Sequence, residues 1–159
     1  PPNKEPHMLA TLVALALAAP AAPEEKEKEL TEAAQKELKK LEGVWKAVKI
    51  VTSQGEETPM RDGGDAILEI KGRKFLVGET ELYTITALDP STGPKCIDIR
   101  AAADMGEVRK GEVYEAIYKF DGDTLVIAGN MGEGKIRPTK FEVAKDSKTF
   151  IVTLKKEKK

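Results

Sequence analysis

The chain has 159 residues, enough for one domain with a single core. Its 26 basic and 27 acidic residues are intermixed and leave a formal net charge of −1, which offers neither a basic stripe for nucleic acid nor a polybasic membrane anchor. A single cysteine, Cys96, excludes an intramolecular disulfide and a Cys-rich zinc site, and the single histidine, His7, leaves the rest of the chain without the usual general base and metal ligand.

In chain order, residues 1–7 read as upstream sequence ahead of Met8. Met8 to Ala22 is an apolar Ala/Leu-rich run, too short for a membrane span of about 20 residues but of the length of a secretory h-region. Ala19-Pro20-Ala21 supplies the small residues of a cleavage site. Residues 1–22 are therefore expected to be a leader, and the mature protein is expected to be extracytoplasmic, periplasmic or secreted, with no stable membrane span.

Residues 23–41 form a charged segment, and the pattern over Glu24 to Leu41 predicts a helix. Leu30, Ala34, Leu38 and Leu41 share one face there, with Glu and Lys on the others. Such a helix either packs over a barrel mouth or serves as a spacer. Gly43 is placed to end it.

Beyond Gly43 the period changes to two, and turn signals recur every eight to twelve residues or so. The predicted strands are Val44–Thr52, Ala66–Lys71, Lys74–Val77, Glu81–Leu88, Lys95–Ala101, Glu112–Phe120, Thr124–Ala128, Arg137–Ala144 and Thr149–Lys155. Lys71-Gly72-Arg73 and Asp121-Gly122-Asp123 mark tight hairpins. Leu125 and Ile127 share one face of their strand, as do Phe150, Val152 and Leu154. The fold class is all-β: a small antiparallel up-and-down barrel of about eight or nine strands over residues 42–157, preceded by the N-terminal helix, since closure leaves no exposed edge. The tail Lys155 to Lys159 reads as a solvated end.

Candidate chemistry is sparse. Gly129 to Lys135 fits the first seven positions of a phosphate-binding loop, but Ile136 stands where a Mg²⁺-holding Ser or Thr belongs, and Arg137-Pro138 starts no helix. A glycine-rich hairpin loop explains the run. Asp62, Asp65, Asp121 and Asp123 sit beside glycines in predicted turns and fit no calcium loop. Ser53, Ser91 and Ser147 lack a nucleophile-elbow context and a histidine partner. Cys96 reads as a half-buried structural thiol. No cofactor, metal or catalytic residue is assigned, and the chain is expected not to be an enzyme.

The aromatics remain. Trp45, Tyr83, Tyr114, Tyr118 and Phe120 either fill a core or line a cavity for one small ligand, and Tyr114, Tyr118 and Phe120 share one face of their strand.

Two resemblances bear on these residues. Gly43-Val44-Trp45, entering a first strand behind a short helix, resembles the G-x-W signature of lipocalins, in which the Trp closes the barrel base under a late basic side chain. That resemblance implies a cation over the indole, with Arg137 as its candidate partner. Leu41-Glu-Gly-Val-Trp-Lys, Leu88-Asp-Pro-Ser through Pro94-Lys-Cys-Ile-Asp, Ile117-Tyr-Lys-Phe-Asp-Gly-Asp-Thr-Leu and Arg137-Pro-Thr-Lys-Phe are similar to successive blocks of the planctomycete uncharacterised domain family. This match covers Leu41 to Lys156 and implies a lipocalin-like fold behind a secretion signal, with no activity attached. One departure is Ala128, where many members carry a cysteine.

The expected function is a secreted, non-enzymatic, lipocalin-like barrel that binds a small apolar or amphipathic molecule, or a protein partner, at its open end. The alternative is a structural or interaction module of the cell envelope with a filled barrel. Ligand-binding or barrel-closing roles fall to Trp45, Arg137, Tyr83, Tyr114, Tyr118 and Phe120.

Overall fold

Alternation along the strands decides which side chains become core, and hydrogen-bond pairing closes those strands into a ring. The computed structural model describes residues 27–61, 63–132, 134 and 136–158; the leader expected over residues 1–22 lies outside them, as does Asp62. The elements are helix α1 (Glu32–Leu41) and strands β1 (Gly43–Thr52), β2 (Gly55–Glu57), β3 (Met60–Arg61), β4 (Gly64–Lys71), β5 (Lys74–Val77), β6 (Thr80–Asp89), β7 (Lys95–Ala101), β8 (Val113–Asp121), β9 (Thr124–Asn130) and β10 (Thr149–Lys156).

Every pairing in the ring is antiparallel, in the order β1-β10-β9-β8-β7-β6-β5-β4, and β1 returns to β4 through the register from Gly43↔Ile70 to Ala47↔Ala66. The result is a closed eight-stranded up-and-down barrel. Closure satisfies the backbone groups that an open sheet would leave at its edges. Short β2 and β3 extend the upper ends of β1 and β4, where those two strands no longer pair with each other.

The inward positions run Trp45 and Ala47; Leu68 and Ile70; Ile97 and Ile99; Tyr114, Ala116 and Tyr118; Leu125 and Ile127. A bulge between Ile85 and Ala87 shifts the parity of β6, so that Leu88 follows Ile85 into the core. Among the described residues nine large side chains are almost fully buried, Trp45 and Tyr118 the largest of them. Each such aliphatic chain contributes roughly 1.5–3 kcal/mol of burial.

Two local expectations change. The predicted helix from Glu24 begins only at Glu32, because Thr31 N-caps it: its Oγ1 accepts from the Ala34 amide at 3.2 Å. The predicted strand Arg137–Ala144 does not form. β10 pairs with β9 from Thr149↔Asn130 onward and with β1 on its other side, so neither strand has a free edge to offer. The β9–β10 connection instead crosses the outside of the barrel as a strap. Arg137 is anchored there on β7 and β8, and the Phe141 ring lies under Lys119 Nζ at 4.7 Å.

Candidate functional site: the open end of the barrel

The two ends of the barrel differ in kind. At one end α1 lies across the opening, and the chain turns directly from its last residue into β1. Gly43 makes that turn at φ +137°, a backbone conformation that other residues rarely adopt. Two residues on, Trp45 is 1% exposed, and its indole Nε1 donates to the Leu41 carbonyl at 2.8 Å. That carbonyl is one of the acceptors a helix C-terminus leaves without an intrahelical partner, so the indole joins helix to barrel.

The cation over the indole is Lys156, with Nζ 5.1 Å from the ring; the same ammonium donates to the Lys40 carbonyl at 3.4 Å. This corrects the pairing expected for Arg137. Arg137 lies on the outer strap, where its guanidinium donates to Asp98 Oδ1 and to the Ala116 carbonyl, each at 2.7 Å. Asp98 sits between inward-facing Ile97 and Ile99 and so points outward, away from Trp45.

Glu37, on the buried face of α1, completes this end with a side chain 4% exposed. It accepts from Lys95 Nζ, from Lys40 Nζ at 2.9 Å and from Tyr118 Oη at 3.3 Å. Burial pulls the Glu37 carboxyl upward, but the hydrogen bonds and charges of Lys95 and Lys40 outweigh it, and the net effect is a value below the usual carboxylate range. The Tyr118 phenol is pushed well up, first by burial and then by the Glu37 carboxylate, and stays protonated. Lys95 Nζ also stands 5.9 Å from the ring centroids of both Tyr118 and Phe120. Trp45, Tyr118 and Phe120 are thus one packed, ion-braced plug.

Tyr83 and Tyr114 are elsewhere. They meet edge to face, 6.4 Å between centroids, at the opposite end. A pocket of about 450 Å³ opens there, bounded by Gln54 from the β1–β2 turn, Glu107 and Glu112 from the β7–β8 connection, Tyr114, and Met131 and Phe150 from the β9 and β10 ends. Its rim is ordered by short contacts. Tyr114 Oη donates to Glu112 Oε2 at 2.6 Å, and the Arg109 amide donates to the same oxygen at 3.0 Å. Met105 and Val108 bridge and tuck the connection onto the core. Burial first, then the Glu112 carboxylate, pushes the Tyr114 phenol well up; burial alone raises Tyr83. Both phenols are neutral, and of the two only Tyr114 lines the pocket.

The six residues singled out by sequence therefore occupy three places: the plug, the mouth and the outer strap. Sequence reasoning missed Glu37, Lys156, Glu112, Met131 and Phe150. A usable signal existed for Lys156, which continues the inward parity of Phe150, Val152 and Leu154 and pairs directly with Trp45. The mouth residues share a topological signal, since strand ends alternate between the two ends of a meander.

The glycine-rich run has a packing explanation. Gly129 and Asn130 are the last residues of β9, no helix follows among the described residues, and the Gly132 amide donates to Asn130 Oδ1 at 2.7 Å. Among the described residues no three His, Cys, Asp or Glu side chains gather as a metal site, and no helix is long and apolar enough to cross a membrane.

What fold and site define is an antiparallel eight-stranded barrel, plugged by a helix at one end and open at the other. Compared with family models, curated proteins and solved structures, the chain matches none.

Proposed function

We propose that this protein is a non-enzymatic binding barrel that takes a small amphipathic molecule at its open end, acting outside the cytoplasm once residues 1–22 are removed. The observation that carries the reading is the pocket of about 450 Å³, within the range of small-molecule sites. Its lining joins apolar surface from Met131 and Phe150 to hydrogen-bonding groups on Gln54, Glu112 and Tyr114. Such a mixture favours an amphipathic guest over a purely apolar one, because a few polar groups set among apolar surface orient a guest that carries both. The resemblance of Gly43-Val44-Trp45 to the lipocalin signature, and of the longer blocks to the planctomycete domain family, supports the same reading and the extracytoplasmic location.

The test is titration with N-phenyl-1-naphthylamine, a neutral fluorescent amphiphile, followed by displacement with 1-decanol. Saturable one-to-one binding reversed by decanol supports the proposal; no saturable signal overturns it. A second reading, a structural or protein-interaction module of the cell envelope, is favoured by the nearly complete burial of Trp45, Tyr118, Ile85, Ile97 and Leu125 in the helix-covered part. Under it, neither probe would bind.

A further inference from the structure

We infer that Gly129 is a specificity-determining residue of the open-end pocket, acting by leaving room for the Phe150 ring that lines it. The inference rests on the binding role proposed for that pocket. Gly129 and Phe150 are directly paired across β9 and β10. Both sit at inward positions, in line with Leu125 and Ile127 on one strand and with Val152 and Leu154 on the other.

A Cβ on Gly129 would lie 2.6 Å from Cζ and 2.9 Å from Cε1 of Phe150, closer than packed carbon atoms approach. Its φ is not in the left-handed region, so backbone conformation does not demand glycine there. The ring does. The next inward pair along these strands is Ile127 and Val152, and the Phe150 ring itself lines the pocket, so a ring displaced by a methyl group changes the pocket's wall. The glycine thus sets where the Phe150 ring stands in the pocket's lining. This also gives the first glycine of the phosphate-loop-like run a role unconnected with phosphate.

The test has two arms. Nuclear Overhauser contacts between the Gly129 Hα protons and the Phe150 ring read the packing without any ligand. N-phenyl-1-naphthylamine affinity is then measured for the wild type, Gly129→Ala, Phe150→Leu and the double variant, each checked for barrel content by circular dichroism. Gly129→Ala is expected to weaken the probe by about 10-fold or more, as one added methyl does in a fitted apolar pocket. The same change is expected to cost less than about twofold once Phe150→Leu has removed the clash, which a general loss of structure would not produce. If Gly129→Ala does not fold, Phe150→Leu alone carries the arm, with a loss of about threefold for the missing aromatic face. Missing Overhauser contacts, or equal affinities for wild type and Gly129→Ala, overturn this inference alone. A wild type that binds no probe while the contacts are present overturns the binding role and the specificity claim with it.

Discussion

Replacing Trp45 by alanine removes the largest side chain of the helix-covered end, and its cost can be worked from the contacts it loses. Trp45 is 1% exposed, and truncating a buried aromatic of this size costs about 3–5 kcal/mol in lost transfer and cavity terms. Trp45→Phe separates one part of that. It keeps much of the ring but deletes the 2.8 Å donor to the Leu41 carbonyl. Leu41 is fully buried, so an orphaned acceptor there costs about 1–3 kcal/mol. Domains of this kind hold roughly 5–15 kcal/mol in all, so the alanine variant forfeits a large share. With an m value of about 1.5 kcal/mol/M in urea, its midpoint falls by roughly 2–3 M and that of Trp45→Phe by about 1–2 M. The assay is urea unfolding followed by far-ultraviolet circular dichroism, because both variants lose the only tryptophan as a fluorescence probe. A midpoint for Trp45→Ala within about 0.5 M of wild type would refute the claim that the indole ties α1 to the barrel.

Four further outcomes follow from the same geometry. Glu37→Gln is expected to lose about 1–3 kcal/mol near neutral pH, since the ion pairs with Lys95 and Lys40 become hydrogen bonds from ammoniums to a neutral amide oxygen. Because the Glu37 carboxyl is held below its unfolded value of 4.5, its contribution is present above that pH and fades as pH falls through the lower folded value; wild-type stability should drop across that interval more steeply than the variant's. Gly43→Ala must tolerate φ +137° and a Lys156 Cε only 3.0 Å from the new Cβ, so a loss of about 1–3 kcal/mol and displacement of Lys156 from the indole are expected by thermal unfolding and by the indole nitrogen shift. Arg137→Ala should free the strap, giving faster hydrogen exchange over residues 136–148 with a global change of only about 1 kcal/mol, because the Arg137–Asp98 pair is partly exposed. Tyr118→Phe loses one 3.3 Å hydrogen bond to Glu37 and should cost no more than about 1 kcal/mol in urea unfolding.

Much of the fold was legible because its signals are local. Asp121-Gly122 closes its hairpin where the turn chemistry places it, and Lys74–Val77 and Lys95–Ala101 begin and end where their patterns do. The failures have non-local causes. Phe141 and Val143 alternate as a strand would, yet β9 and β10 take each other as partners and leave that segment no edge. The charged residues before Thr31 suit a helix by propensity, but Thr31 spends its hydroxyl capping the turn that follows, while Glu27 and Lys28 reach Arg73 instead. Arg137 and Lys156 are both late and basic, and only the β1–β10 register distinguishes the one that meets Trp45. The mouth was the least legible part, because Gln54, Glu112 and Phe150 are far apart in sequence and converge only when the ring closes.

The most direct test of the account follows a single resonance against several. The lone indole N–H of Trp45 reports on the plugged end, while amides of Tyr114, Met131 and Phe150 report on the open one. During titration with N-phenyl-1-naphthylamine, the account expects saturable shifts at Tyr114, Met131 and Phe150 with the indole peak unmoved. Saturable movement of the indole peak with the open-end amides silent would contradict it.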